Sequence, residues 1–125
     1  GVSSDARDIE AAIRDGNENA LLAANILAYG IKKYIGSYVA ALNGVDAVVF
    51  TAGMGENNSE MRERVCTDME FFGIKIDLDA NAKTYKPQGP MEISTPDSKV
   101  KVFVIPTNEE LMIARETDRI VSARK

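Results

Sequence analysis

The stretch Asp46-Ala-Val-Val-Phe-Thr-Ala-Gly-Met-Gly-Glu-Asn-Asn-Ser-Glu60 constrains the fold of this chain more than any other. Val48, Val49 and Phe50 are β-branched or aromatic and form a short buried-strand run. Gly53 and Gly55 follow, and they are expected to take positive φ and let another group approach the backbone closely. Asn57, Asn58 and Ser59 are each suited to cap the helix that comes next. A strand that feeds a glycine loop and a helix N-terminus leaves free N–H groups and a positive dipole end, which suit a nucleotide. Two glycines fit an ordinary βα turn as well, so the spacing alone leaves both readings open.

Around this centre, apolar periodicity predicts alternating helices and strands. Ser4 or Asp5 caps a first helix that carries Ile9, Ala12 and Ile13 and ends at Gly16. Asn17 or Asn19 opens a long helix to about Asn43. It is apolar on two sides and is expected to be covered on both. Gly30 and Gly36 interrupt it and suggest close packing. A further helix is predicted from about Ser59 to Glu70, then a short strand ending at Ile76. Residues 80–90 read as loop, and residues 90–95 as a strand. Lys99-Val-Lys-Val-Phe-Val-Ile105 alternates at first and then turns wholly apolar, as a strand does when it runs from an edge into a core. Pro106 stops it. Thr107 with Glu110 three residues on makes a capping box for a last helix. That helix is expected to turn Leu111, Ile113 and Ala114 inward and to end between Arg119 and Arg124. Alternation of this kind argues for α/β layering.

Composition excludes several function classes. The 125 residues are enough for one modest domain, and 45% hydrophobic with 27% charged residues is usual for a globular protein. A net charge of −4 argues against a nucleic-acid or anionic-membrane surface. The chain has no His, so imidazole catalysis and His-ligated metals are out within it. Cys66 stands alone, which fits a reducing cytoplasm. No apolar run reaches membrane-spanning length. Asp77-Leu-Asp-Ala-Asn81 copies the opening of a calcium loop, but Ala82 and Gln88 stand where Gly and Glu are needed, so the aspartates are read as a strand end and a turn cap.

Three segments together carry a specific likeness. Thr51-Ala-Gly-Met-Gly-Glu-Asn57, Gly1-Val-Ser-Ser-Asp-Ala-Arg-Asp-Ile9 and Ile105-Pro-Thr-Asn-Glu-Glu-Leu-Met-Ile-Ala-Arg115 resemble acetate kinases, in that family's order and at about its spacing. The resemblance implies part of a ribonuclease-H-like domain of the actin and sugar-kinase superfamily. It implies that residues 1–125 are the C-terminal part of a nucleotide-binding domain whose upstream two-thirds are not in this chain. The lack of an initiator Met accords with that expectation. It also implies reversible phosphoryl transfer between ATP and acetate, giving ADP and acetyl phosphate, with Mg²⁺, in a cytoplasmic homodimer.

The implied site residues fall in the same three segments. Asp5, Ala6 and Arg7 would line adenine and ribose. An ordinary charged first helical turn looks the same. Family members often carry a larger residue at the position of Ala6, so base packing there is expected to change. Gly53, Met54, Gly55, Glu56 and Asn57 would surround the ribose, the α-phosphate and the adenine edge. Glu56 sits awkwardly beside phosphates; a ribose hydroxyl, a backbone N–H or solvent are its open alternatives. Glu109 would hold Mg²⁺, with Glu110 assigned to the capping box. Acyl-binding and charge-neutralising residues lie outside this segment, so the chain alone is expected to be inactive. A propionate or other short-chain acyl kinase, and a non-catalytic nucleotide-binding or dimerisation module, remain as alternatives.

Overall fold

The computed structural model describes residues 1–123. Helix α1 (Ala6–Arg14) begins at Asp5, whose side chain accepts the Arg7 N–H. Helix α2 (Glu18–Leu42) begins at Asn17, which accepts from Ala20 N–H, and closes at Asn43 in the left-handed region. Strand β1 (Ala47–Phe50) leads into two short helices, α3 (Ala52–Asn57) and α4 (Ser59–Cys66). Helix α5 (Leu78–Lys83), strand β2 (Met91–Glu92), strand β3 (Lys101–Val104) and helix α6 (Glu109–Ser122) complete the order.

The sheet runs β1-β3-β2, with β1 parallel to β3 and β2 antiparallel to it. Register pairs Val48 with Val102 and Phe50 with Val104. The alternation expected around Lys99 and Lys101 is present, since Val100, Val102 and Val104 are buried. They pack with Ile74, Ile93, Met69 and Cys66 on one side of the core. A second cluster joins Ala24 and Ala28 of α2 to Met61 and Val65 of α4. Small residues at i, i+4 and i+8 of α2 (Ala20, Ala24, Ala28) let the neighbouring helices come close. Full burial of a side chain such as Val65 or Ile93 contributes about 1.5–3 kcal/mol.

Five expectations are corrected. The helix after Asn58 stops at Cys66, because Thr67 leaves helical geometry and Asp68 takes φ 56°; a single 3₁₀ turn, Glu70–Phe72, follows. The run to Ile76 makes only isolated bridges, Ile74 to Val100 and Ile76 to Ser94. Residues read as the start of a polar loop form α5, capped by Asp77, whose carboxylate accepts the Ala80 N–H at 2.9 Å. Helix α2 is covered on one face only, leaving Leu22, Ile26, Tyr29, Tyr34 and Tyr38 exposed, and a Cβ on Gly30 would meet nothing within 4 Å. Helix α6 buries none of its side chains; Ile113 is 68% exposed. Arg124, the far limit expected for that helix, lies outside the described residues.

Candidate functional site

Parallel neighbours β1 and β3 end at the same edge of the sheet, and open α/β sheets bind ligands beyond such strand ends. After β1 the chain makes a tight entry into α3. Positive φ falls on Ala52, at 59°, while neither Gly53 nor Gly55 has it. The positive φ expected of the two glycines is thereby corrected, while the close approach expected of them is present at Gly55. A non-glycine residue in that region costs about 1–2 kcal/mol, so the entry is held against strain. Gly55 is needed for a different reason. A Cβ there would lie 3.0 Å from the carbonyl carbon of Phe50, so the helix folds back onto the strand that precedes it. Gly53 faces open space. Asn58 caps α4 by accepting the Met61 N–H at 2.7 Å, and the buried Oδ1 of Asn57 has no protein partner.

After β3, Pro106 and Thr107 lead to α6. The expected capping box is absent. Asn108 is the cap and accepts the Leu111 N–H at 3.0 Å. The Thr107 N–H donates to Glu56 Oε1 at 2.8 Å, and its hydroxyl donates to the same atom at 2.9 Å. Of the three alternatives for Glu56, the backbone N–H is the one realised. The Thr107 amide, as the largest influence, holds the Glu56 carboxyl below its usual range. Glu110 therefore has no capping duty. It stands exposed beside Glu109, and the two line an open cleft of about 460 Å³ with Ala52, Gly53, Thr107 and Asn108.

The N-terminal trio is arranged around its own cap. Asp5 accepts from the Arg7 backbone at 2.8 Å and from its guanidinium at 2.6 and 3.1 Å. The guanidinium bond first, and the backbone bond second, lower the Asp5 carboxyl to about 2. Ala6 lines a second cavity of about 200 Å³ with Met54, Ser3, Ile9, Leu27 and Met61. The structure thus brings Ala6 together with Met54 in one cavity, and Gly53 together with Glu109 in another. It does not bring Asp5, Arg7, Gly55, Glu56 or Asn57 to the lining of either cavity.

Arg62 is a residue the sequence reading missed. It is 0% exposed, and it donates to Asn81 Oδ1 (2.7 Å) and to the carbonyls of Asn81 (3.0 Å), Thr84 (2.7 Å) and Gly55 (2.9 Å). Burial pushes its pKa downward. Its bond to the Gly55 carbonyl supports the end of α3 from below. The available signal was a charged residue on the apolar line of Val65 and Cys66.

A cation fits the larger cleft in one way only. Among the described residues no group of three or more carboxylate or thiol side chains is gathered to cage a metal. Mg²⁺ uses one or two carboxylates with phosphate oxygens and waters. Glu109, with Glu110 beside it, matches that donor set only if a phosphate shares the ion.

The sequence model of the Acetokinase family matches residues 1–115. An acetate kinase of Acetivibrio thermocellus is 61% identical over 121 residues, covering 97% of this chain and 30% of the relative. The crystal structure of Porphyromonas gingivalis acetate kinase superposes with a TM-score of 0.84 at 55% identity, over 97% of this chain and 30% of that one. A propionate kinase from Francisella tularensis superposes at 0.77 with 34% identity, over 90% of this chain and 28% of that one. The chain spans less than a third of the length of the curated relatives it matches. With an α/β fold shared with acetate kinases and a family match over nearly all its residues, the chain belongs to the Acetokinase family.

Proposed function

We propose that this chain is the C-terminal part of the nucleotide-binding domain of an acetate kinase, which transfers a phosphoryl group reversibly between ATP and acetate. In this reading Asp5, Ala6, Arg7, Gly53, Met54, Gly55 and Asn57 form the adenosine wall, and Glu109 supplies a carboxylate to Mg²⁺. The observation that carries it is the cleft at the paired ends of β1 and β3, where Gly53 and Glu109 face the same space. Ala6 and Met54 offer an apolar surface to a base in the neighbouring cavity. The unpartnered Asn57 Oδ1 is an acceptor suited to an exocyclic amine. Bound Mg²⁺ would neutralise phosphate charge; the chain's own share is to hold the nucleotide and orient that ion.

The lining of this cleft holds two glutamates and no Lys or Arg. In this reading the charge neutralisation of a transferring phosphoryl, and the acyl site, come from outside the described residues of the segment. Propionate or another short-chain acid is the second reading of the acceptor, favoured by the likeness to a propionate kinase. Homodimer formation through the exposed apolar side of α2, and a cytoplasmic setting, complete the proposal.

The test uses the full-length chain that carries this segment. Glu109→Ala is expected to cut kcat and raise the Mg²⁺ requirement at least tenfold, the scale of losing a charge-assisted ligand (about 1.5–3 kcal/mol). Glu110→Ala, which removes the same charge from the same cleft, should move the Mg²⁺ requirement much less. Both should leave the melting temperature nearly unchanged, because neither is assigned a cap. An equal Mg²⁺ response in the two variants would remove the assignment to Glu109.

A further inference from the structure

Strands β1 and β3 stay joined as far as the bond from the Ile105 N–H to the Phe50 carbonyl, at 2.9 Å. Beyond it the two chains part. One turns through Thr51 into α3, and the other runs through Pro106 to α6. The proposed site lies in that fork, with Ala52 and Gly53 on one wall and Thr107 to Glu110 on the other. Walls that diverge past their last ladder bond keep a fixed separation only if something spans them. Glu56 spans them. Its Oε1 takes both donors of Thr107, the N–H and the hydroxyl, across 51 residues of sequence.

A carboxylate at this place would repel phosphates if it faced them. Bonded to Thr107, its Oε1 is turned to the opposite wall and satisfied there. Its charge also makes both bonds stronger than a neutral acceptor would.

We propose that Glu56 is a positioning residue that ties α3 to the chain ahead of α6 and so sets the distance between the Gly53 wall and the Glu109 carboxylate, without touching the nucleotide. The inference rests on the reading of this cleft as a phosphoryl-transfer site. Nucleotide held along α3 and cation held from α6 must meet on the same phosphate, and small misplacements of bound groups are costly. Loosening the strut disturbs both at once. Losing a direct ribose contact would weaken the nucleotide alone.

The experiment is steady-state kinetics on the full-length chain, with Glu56→Ala, Glu56→Gln, Thr107→Val, Thr107→Ser and the Glu56→Ala/Thr107→Val pair. Glu56→Ala is expected to raise the KM for ATP and the Mg²⁺ concentration for half-maximal rate together, each about tenfold, the scale of one bond to a charged group. The KM for the acyl substrate should not move. Glu56→Gln keeps an acceptor and should fall between, and Thr107→Ser, which keeps both donors, should shift the two parameters less than Thr107→Val. The double variant should be no worse than Glu56→Ala, since the strut is already gone. If Glu56→Ala does not fold, the ordering of Glu56→Gln, Thr107→Val and Thr107→Ser carries the same test. Additive effects, or a rise in the KM for ATP with an unmoved Mg²⁺ requirement and a silent Thr107→Val, would make Glu56 a ligand contact and overturn the proposal. A wild-type chain without phosphoryl transfer would overturn the reading beneath it, and that is seen before any substitution is made.

Discussion

Gly53 and Gly55 stand two residues apart in one helix, yet their surroundings demand different things. Around Gly53 there is room for a Cβ, and its φ is not positive. Gly53→Ala should therefore be neutral or stabilising by up to about 1 kcal/mol, from helix propensity and a less flexible unfolded chain. If this wall takes the nucleotide, the same change should raise the KM for ATP. Gly55→Ala should do the reverse to stability. The added methyl meets backbone at 3.0 Å, which cannot swing aside as a side chain can. An overpacking cost of about 1–3 kcal/mol is expected, read as a lower denaturant midpoint with an unchanged slope. Equal stability of the two variants would show that α3 is free to lift from Phe50. Pattern reading assigns both positive φ and close approach to the two glycines alike, and only the close approach, at Gly55, is present. It could not see that Ala52 would carry the strained angle instead. Thr107 was misread for a similar reason. Its amide looked free for Glu110, and the acceptor that takes it is Glu56, far away in sequence.

Elements were legible where apolar spacing was long and regular. β1, β3, α1 and α2 all appear near their expected bounds, because Val48, Val102 or Ala24 must face a core for the chain to bury anything. α5 was not legible. Only half of its residues Leu78 to Lys83 are apolar, and its helix depends on the Asp77 cap and on Asn81 meeting Arg62, a contact no local pattern announces. α6 was legible as a helix but not in its packing. Leu111 and Ile113 were expected to turn inward, yet both are exposed. A helix of 14 residues with no buried face has little beyond its own hydrogen bonds to hold it, and such lengths are marginal in water. In this 125-residue chain, amides of α6 should exchange within the opening regime of fraying ends, while those of β3 and α4 should follow global unfolding. Hydrogen exchange measured by mass spectrometry separates the two. Protection of α6 equal to that of β3 would mean that an apolar partner covers it in solution.

At the scale of the whole molecule, the proposed phosphoryl transfer finds only part of what it requires among the described residues. The sheet edge presents a cleft, the strained turn and the Arg62 scaffold hold one wall, and Asn108 starts the other. Among the described residues, the lining of the cleft carries no positive charge. Glu109 and Glu110 are its titratable lining, and a metal–nucleotide complex would find carboxylates there but no guanidinium or ammonium to spread the charge of a transferring phosphoryl. Arg7, the cation among the residues that the resemblance assigns to the site, is engaged with Asp5. Arg62 is buried against carbonyls. Phosphoryl transfer depends on such neutralisation, and single cationic groups account for factors of about 10³–10⁵ in rate. The isolated 125 residues are accordingly expected to form no acetyl phosphate from ATP and acetate above a no-protein control, with or without Mg²⁺. They should still bind ADP weakly, with a Kd on the order of 1 mM (about −4 kcal/mol), because the α3 wall and the Ala6–Met54 cavity are complete within the chain. A hydroxamate assay for the acyl phosphate and a titration of ADP followed by chemical shift would measure the two halves. Turnover by the isolated chain would show that the cleft recruits its cations from within, and would end the division of labour argued here.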